Sequence, residues 1–405
     1  MSEVFIVGAK RTAIGSFLGT LKDVKASDLA SSVMKQIIDD TKIDTKDLDE
    51  VILGQVLPAG QGQGPARQAS INAGIEDIIP AYSLNMVCGS GMKSVMNGYV
   101  GIKAGLNHLV MAGGMESMSQ SPFLLPYTLR LGKKMGGFET EDHMLKDALM
   151  DAFDDVHMGI TAENIVEKYE ISRERQDKFA MLSQTKAVKA VDEGKFKDEI
   201  VPVTIKTRKG DVVFDLDEYP NRTTDFEKLS GLRPAFKRDG SVSAGNSSGL
   251  NDGASVVLLA DQTMLDKYDL KPLVRIVGVG QGGVNPKVMR LGPSVAIKNA
   301  LDSVEMDLKE MDLLELNEAF SAQGLGVYHE LAELYDVNED WFTERTNLNG
   351  GAIALGHPLG ASGNRILVTL IHELIKQNKR YGLASLCIGG GMGTAIIVEN
   401  LEGAK

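Results

Sequence analysis

Cysteine is nearly absent: the chain has two in 405 residues, Cys88 and Cys387. Two thiols in so long a chain make no disulfide framework, and no pair of CxxC motifs exists. The six histidines form no metal-ligand spacing such as HExxH. No apolar run approaches the length of a membrane span. The N-terminal "MSEVFIVGAKRTAIG" carries its positive charges after its short apolar run, the reverse of a secretory signal. No GxGxxG follows that first run; "GAKRTAIGSF" lacks the pattern, which removes the dinucleotide-dependent oxidoreductase that alternating strands and helices first suggest. Positive charge is scarce as well. Lys and Arg number 43 against 55 Asp and Glu, a net charge of -12, which argues against a sequence-independent nucleic-acid binder. An anionic small ligand stays open, because a few local cations or helix N-termini suffice to hold it. The expectation is a cytoplasmic protein without a metal, a nucleic-acid partner or a membrane.

What is present describes an ordinary globular chain: 43% hydrophobic and 24% charged residues, long enough for two or three domains or one pseudo-symmetric unit. Val4 to Val7 is a β-rich run that stops at Gly8, and Val274 to Val279 is a similar one that stops at Gly280. After the first, Leu29, Ala30, Val33, Met34, Ile37 and Ile38 recur at helical spacing, with Ser27 as N-cap; after the second, Val295, Ile297, Ala300 and Leu301 do so less cleanly. Lys46 to Leu53 reads against Lys309 to Leu316, a helix exit feeding a buried strand in both. Leu84-Asn85 leads to Cys88, a helix from about Met92 and the strand "HLVMAGGM"; Leu348-Asn349 leads to His357, a helix from about Ser362 and the strand "SLCIGGGM". In both strands the apolar run is read as ending in a glycine turn. Four echoes in one order point to a β-α-β pattern used twice, and strands alternating with helices point to a layered α/β architecture. Residues 120–250 have no counterpart in the second half. They read as an insertion with helices over Glu163 to Tyr169 and Arg173 to Val191, of the kind that forms a lid or a substrate platform.

Several stretches carry chemistry. "SLNMVCGSGMKSV" puts Cys88 where an apolar run meets a Gly-x-Gly turn that opens a helix, a place that favours the thiolate; a small buried hydrophobe at a strand end answers the same pattern. "NGGAIALGHPLGASGNR" sets a lone His357 in a glycine-flanked loop at the mouth of a helix, placed as base or oxyanion donor, or as a turn histidine. "ELNEAFSAQ" has Asn317 where a buried strand should turn into a helix; it can cap that helix or hold a catalytic water. "SAGNSSGLNDGAS" can bind a ligand amide or phosphate, or only permit close packing. "HMGITAEN" precedes a helix with Thr161 as N-cap, and His157 there can be a plain loop side chain.

Taken in order, "VCGSGMKSV", "AGGMESMSQSP", "HMGITAENIVEKY", "LRPAF", "SAGNSSGLNDGAS", "NEAF", "GGAIALGHPLGASG" and "LCIGGGMG" resemble the thiolase family over essentially the whole chain. The region around "KMGGFETEDHMLKDALMDAF" is most similar to its short-chain biosynthetic branch. The resemblance implies a five-layered α-β-α-β-α fold made of two similar halves, with a loop domain inserted in the first. The boundaries expected are 1–119 and 251–271 for the first half, 120–250 for the insertion covering the coenzyme A site, and 272–405 for the second half. It further implies a homotetramer, a dimer of dimers, that condenses two acetyl-CoA reversibly to acetoacetyl-CoA and CoA, with no cofactor beyond its CoA substrate. By the same resemblance Cys88 is the acyl-accepting nucleophile, His357 the base that activates it and Cys387 the second acid/base. Asn317 holds the water of one oxyanion hole, completed by His357, and the backbone N–H groups of Cys88 and Gly389 form the other. Ser248 meets the pantetheine arm, with His157, Met158, Leu149, Phe236, Ala244, Ala319 and Phe320 lining the channel. The chain departs from the family after "DEY": Asn221 stands where many relatives carry an adenine-side arginine, and either Arg222, one position later, reaches the same place to bind CoA, or CoA is held more loosely here. Ser247, often alanine in relatives, is the other departure.

The β-ketoacyl synthases share the expected fold and a nucleophilic cysteine but typically use two histidines, where this chain has Cys387 in "CIGGG". A degradative 3-ketoacyl-CoA thiolase of broader chain length is the remaining enzymatic alternative. A non-enzymatic acyl-CoA-binding protein on the same fold is the alternative of another class; it would tolerate loss of Cys88, His357 or Cys387, and all three are present.

Overall fold

The computed structural model describes residues 2–404. Five strands of the first half, β1 (Phe5–Thr12), β2 (Glu50–Gly54), β3 (Ala81–Leu84), β4 (Leu109–Ser117) and β5 (Asn251–Ala260), join four of the second, β6 (Val274–Gly283), β7 (Leu313–Leu316), β8 (Tyr381–Ile388) and β9 (Met392–Glu399). Across the sheet they run β7-β8-β9-β6-β1-β5-β4-β2-β3. Outward from the β1–β6 seam, each half therefore presents its first strand, its last, the strand before its last and its second. The first half ends in β3, and the second has at that place a single parallel bridge from Leu314 to Thr346. The sequence echoes thus correspond to one topology used twice.

Both faces of each half-sheet are buried, and the period-2 alternation sorts them. In the first half Val51, Leu53, Met111, Val256 and Leu258 face an outer cluster with helix α1 (Ala26–Thr41) and α2 (Pro65–Asn72). Ile52, Val110, Ala112, Val257 and Leu259 face inward. In the second half Leu383, Ala395 and Ile397 face out, while Ala384, Leu386, Ile388, Ile396 and Val398 face in. The inner faces meet on two central helices, α3 (Ser90–Lys103) and α8 (Leu359–Lys376). The outer face of the second half is covered by α6 (Gly292–Asp302) and α7 (Ser321–Tyr335). The layers run α-β-α-β-α. Residues 120–250 hold α4 (Met158–Tyr169), α5 (Arg173–Asp192) and two short ribbons, with α4 and α5 packed on α7.

Two glycine readings change. β1 and β6 do not stop at Gly8 and Gly280; each runs through with an irregularity in register, between Ile6 and Gly8 and between Ile276 and Gly278. A Cβ on Gly8 would lie 2.7 Å from Ile37 Cγ2, and one on Gly280 2.3 Å from the Ala296 carbonyl, so these glycines seat a helix on the strand. "AGGM" likewise lies inside β4, whereas "IGGGM" is a true turn, with Gly390 and Gly391 at positive φ between β8 and β9. The caps shift too. Lys25, not Ser27, precedes α1; His157, not Thr161, caps α4; and Phe320, not Asn317, precedes α7.

The central helices cross with backbone in contact. A Cβ on Gly114 of β4 would lie 1.9 Å from the Gly360 carbonyl, and one on Gly91 would lie 2.7 Å from the same atom. Gly114→Ala should therefore push α8 off β4 and cost about 3 kcal/mol as overpacking, read as a lowered denaturant midpoint. A midpoint equal to that of the parent would contradict the close crossing.

Candidate active site

Cys88 stands two residues before α3 and His357 two before α8, so the crossing of the helix N-termini gathers them at one place. The turn that carries Cys88 is forced. Val87 sits at φ 46°, a region costly for a β-branched residue, and such strain persists only where neighbours hold it. Here the Asn85 side chain accepts from Val87 N–H at 2.9 Å, and the Ser90 hydroxyl accepts from Met86 N–H at 2.8 Å and donates to the Val87 carbonyl at 2.6 Å. The result holds the Cys88 sulfur at the positive end of α3.

Beside it, the His357 N–H donates to Asn251 Oδ1 at 2.8 Å, and its ring Nδ1 lies 2.6 Å from the Ser362 hydroxyl. Ser362 has one proton, and it donates that proton to the Pro358 carbonyl at 2.8 Å. Toward His357 it can then only accept, which assigns the hydrogen to Nδ1 and makes Nε2 the basic nitrogen of the neutral ring.

A cavity of about 530 Å³ receives Cys88, His357 and Gly389 together. Leu149, His157, Met158, Phe236 and Phe320 also line it, as do Ala244, Ser248 and Ala319. One wall is aromatic: the His157 ring stacks on Phe236 with centroids 4.6 Å apart, and Phe236 meets Phe320 edge-on at 6.0 Å. His157 is fixed by accepting the Gly159 N–H at Nδ1, 3.0 Å away. Cys387 and Asn317 are not on the cavity wall: Cys387 clusters with the wall residues Ala319 and Phe320, and Asn317 precedes Ala319 by two residues in the chain. Cys387 is buried with Ala319 and Phe320, and Gly389 after it packs on Val87, before Cys88. Asn317 is 1% exposed, and both its side-chain amide atoms lack a protein partner. An amide left so costs about 1–3 kcal/mol, which is tolerated where a water or substrate oxygen supplies the bond.

Arg222 is not on the wall of this cavity. It is half exposed and pairs with Asp192 at 2.7 Å, on a shallow surface depression. It is Asn221 that lines a hollow of about 340 Å³ sharing Tyr219 and Ala244 with the main cavity. Sequence reasoning missed Met144, Leu145, Ala148, Tyr219 and Met289, which also line the cavity. The i, i+4 pairs Met144–Ala148 and Leu145–Leu149 were a readable signal of one helical face; for Met289, in an irregular segment, no such signal exists.

Ser362→Ala removes the acceptor that fixes the imidazole. The expected outcome is a fall in kcat/KM of roughly 10-fold with the cavity unaltered, read from steady-state turnover; unchanged kcat/KM would deny the tautomer assignment.

The thiolase N-terminal domain model matches residues 4–263, and the thiolase C-terminal domain model matches 270–400. The chain is 49% identical over 397 residues to an acetyl-CoA acetyltransferase of Pseudomonas aeruginosa, covering 98% of this chain and 99% of that one. It is 48% identical over 400 residues to one of Cupriavidus necator, covering 98% and 100%. Among solved structures, the Bacillus anthracis acetyl-CoA acetyltransferase superposes with a TM-score of 0.94 at 43% identity, covering 99% of each chain. Human mitochondrial 3-ketoacyl-CoA thiolase superposes at 0.92 and 41%, covering 98% and 99%. The chain belongs to the thiolase family.

Proposed function

We propose that the protein is a cytoplasmic acetyl-CoA C-acetyltransferase that condenses two acetyl-CoA to acetoacetyl-CoA and CoA, and runs the reverse thiolysis. The observation that carries this reading is the meeting of Cys88, His357 and Gly389 in one cavity, with Cys387 clustered behind its Ala319–Phe320 wall. In the first half-reaction His357 Nε2 takes the Cys88 proton, the thiolate attacks the thioester carbonyl, and CoA leaves as its thiol with a proton from Cys387, which stays behind as a thiolate. In the second, that Cys387 thiolate removes an α-proton from another acetyl-CoA, and the carbanion attacks acetyl-Cys88 and expels its thiolate, which takes back the proton held on His357. Covalent capture divides one difficult transfer into two easier ones and gives ping-pong kinetics. The α-proton is weakly acidic, so removal needs donors aimed at the enolate oxygen: His357 and a water on Asn317 serve there, and the N–H groups of Cys88 and Gly389 serve the tetrahedral intermediate. The substrate brings its own CoA handle, and this chemistry asks for no metal or further cofactor. Met118, Met144, Ala148 and Leu359 line the cavity together with Cys88, and we read these side chains as the walls of a short acyl pocket. The likeness to 3-ketoacyl-CoA thiolase favours the broader alternative, and the two differ in chain-length profile.

Thiolysis of acetoacetyl-CoA, followed by loss of its enolate absorbance, should depend on free CoA and exceed the rate on longer 3-ketoacyl-CoAs; the opposite order would make the protein a broad-chain thiolase. Cys88→Ala should lower turnover about 10,000-fold or more, and near-wild-type activity would end the mechanism. Cys387→Ala should still gain one acetyl group by intact mass yet fail to condense; absence of the adduct would deny the two cysteines separate roles.

The reading extends to a homotetramer. Phe123, Leu125, Tyr127, Leu131, Met135 and Phe138 are exposed within the insertion, Met135 at 90%, and a run of this kind is covered in a stable assembly. The unpaired edge of β3, with Tyr82 exposed, suits pairing with a second copy. Light scattering should give four chains for the parent and two for Leu131→Asp with Met135→Asp; a monomeric parent would refute both contacts.

A further inference from the structure

We infer that Glu116, which does not line the cavity, is the positioning residue that sets the His357 loop against the Cys88 turn. It lies next to the end of β4 and is fully buried. One carboxylate oxygen accepts from Val56 N–H at 3.0 Å and from Gly360 N–H at 2.9 Å; the other accepts from Leu57 N–H at 3.1 Å. These donors belong to two different parts of the machinery. Gly360 is the second residue of α8, three after His357, and sits at the positive end of that helix. Val56 and Leu57 follow β2, and the Val56 carbonyl accepts at 3.4 Å from the Asn85 side chain, the same side chain that holds Val87 before Cys88. One carboxylate therefore fastens the start of the base-bearing helix to the support of the nucleophile's turn.

Packing leaves no slack at this point. A Cβ on Gly360 would meet the Met115 carbonyl at 2.5 Å and a Glu116 oxygen at 2.9 Å, so α8 can move only if the clamp opens. Burial pushes the carboxyl up to about 7, opposed by the three N–H donors and assisted by the nearby charge of Asp252 on β5. A fully buried carboxyl so costly to ionise would be replaced by an apolar side chain if it only filled space. Three backbone donors from two loops give it a use that an apolar group lacks.

The clamp rests on the roles given to Cys88 and His357, so its test reads their coupling and not acyl transfer alone. Glu116→Gln keeps shape but sets an amide NH₂ against at least one N–H donor. Its kcat in thiolysis should fall about 100-fold, as expected for a small misplacement of reacting groups, with KM for acetoacetyl-CoA within about twofold. Alkylation of Cys88 by iodoacetamide, located by peptide mass, should slow at neutral pH. It should rejoin the parent's rate above about pH 9, where the thiol ionises without help. Glu116→Asp, which keeps the charge, should recover part of both losses, and carries the same measurement if the Gln variant does not fold. Alkylation profiles that superimpose on the parent's would overturn the inference, whatever happens to turnover. A parent whose Cys88 takes no acetyl group would instead defeat the acetyltransferase reading and leave the alkylation comparison standing.

Discussion

The backbone contact between the N-termini of α3 and α8, over Gly114 of β4, is the constraint on which the site depends. Helices normally approach no closer than their side chains allow, about 8–10 Å between axes. Here glycines at 91, 114 and 360 remove the side chains where the chains cross. Because the same β-α-β unit is used twice, the two helices come from equivalent places and present equivalent loops. One loop ends in Cys88 and the other in His357, each two residues before its helix. Cys88 and His357, the nucleophile and base of the proposed reading, meet without any long excursion of chain, both at the positive end of a helix, where a thiolate and an oxyanion are stabilised.

The insertion is held to this frame by a buried ion cluster. Arg11 on β1 is fully buried and forks onto Asp217 at 2.8 and 3.0 Å and Glu199 at 2.6 Å, both from the inserted segment. Burial alone would lower the pKa of the guanidinium, but the two carboxylates outweigh it and hold it protonated. Glu199 also accepts from Thr369 of α8 at 3.0 Å. The cavity wall that the insertion supplies, with His157 and Phe236, is therefore fastened to the same helix that follows His357. A buried pair of this kind need add little net stability, yet losing one partner strands a charge in the interior.

Much of this was legible in the sequence because duplication leaves repeated signals at several levels. The strand and helix positions, the unmatched 120–250 segment and the placement of Cys88 and His357 at helix mouths all follow from periodicity and turn residues. The glycines were legible only in part. "AGGM" and "IGGGM" look alike, but β4 runs straight through its pair while β8 turns, and a one-dimensional pattern cannot tell a glycine that admits a helix from one that reverses the chain. Arg222 illustrates the same limit for side chains, since its direction is settled by Asp192 on α5, thirty residues away. Glu116 lies inside the quoted "AGGMESMSQSP", yet nothing in that stretch gave it a role, because the backbone donors it accepts from are supplied by every sequence.

The electrostatics of the strand end at Asn317 fit the demands of an enolate. An oxygen that gains negative charge is destabilised by carboxylates nearby in a medium of low dielectric. Two carboxyls flank Asn317. Burial pushes Glu315 up to about 8, even against Arg365 at 3.5 Å, so it is mostly neutral at physiological pH. Burial raises Glu318 as well, opposed by the Ser183 hydroxyl at 2.6 Å and the Asn347 amide at 2.9 Å. Desolvation thus makes negative charge costly on the residues either side of Asn317. On the proposed reading, the Asn317 amide, with neither atom engaged by protein, would meet the developing charge as a preorganised dipole whose burial limits screening by bulk water.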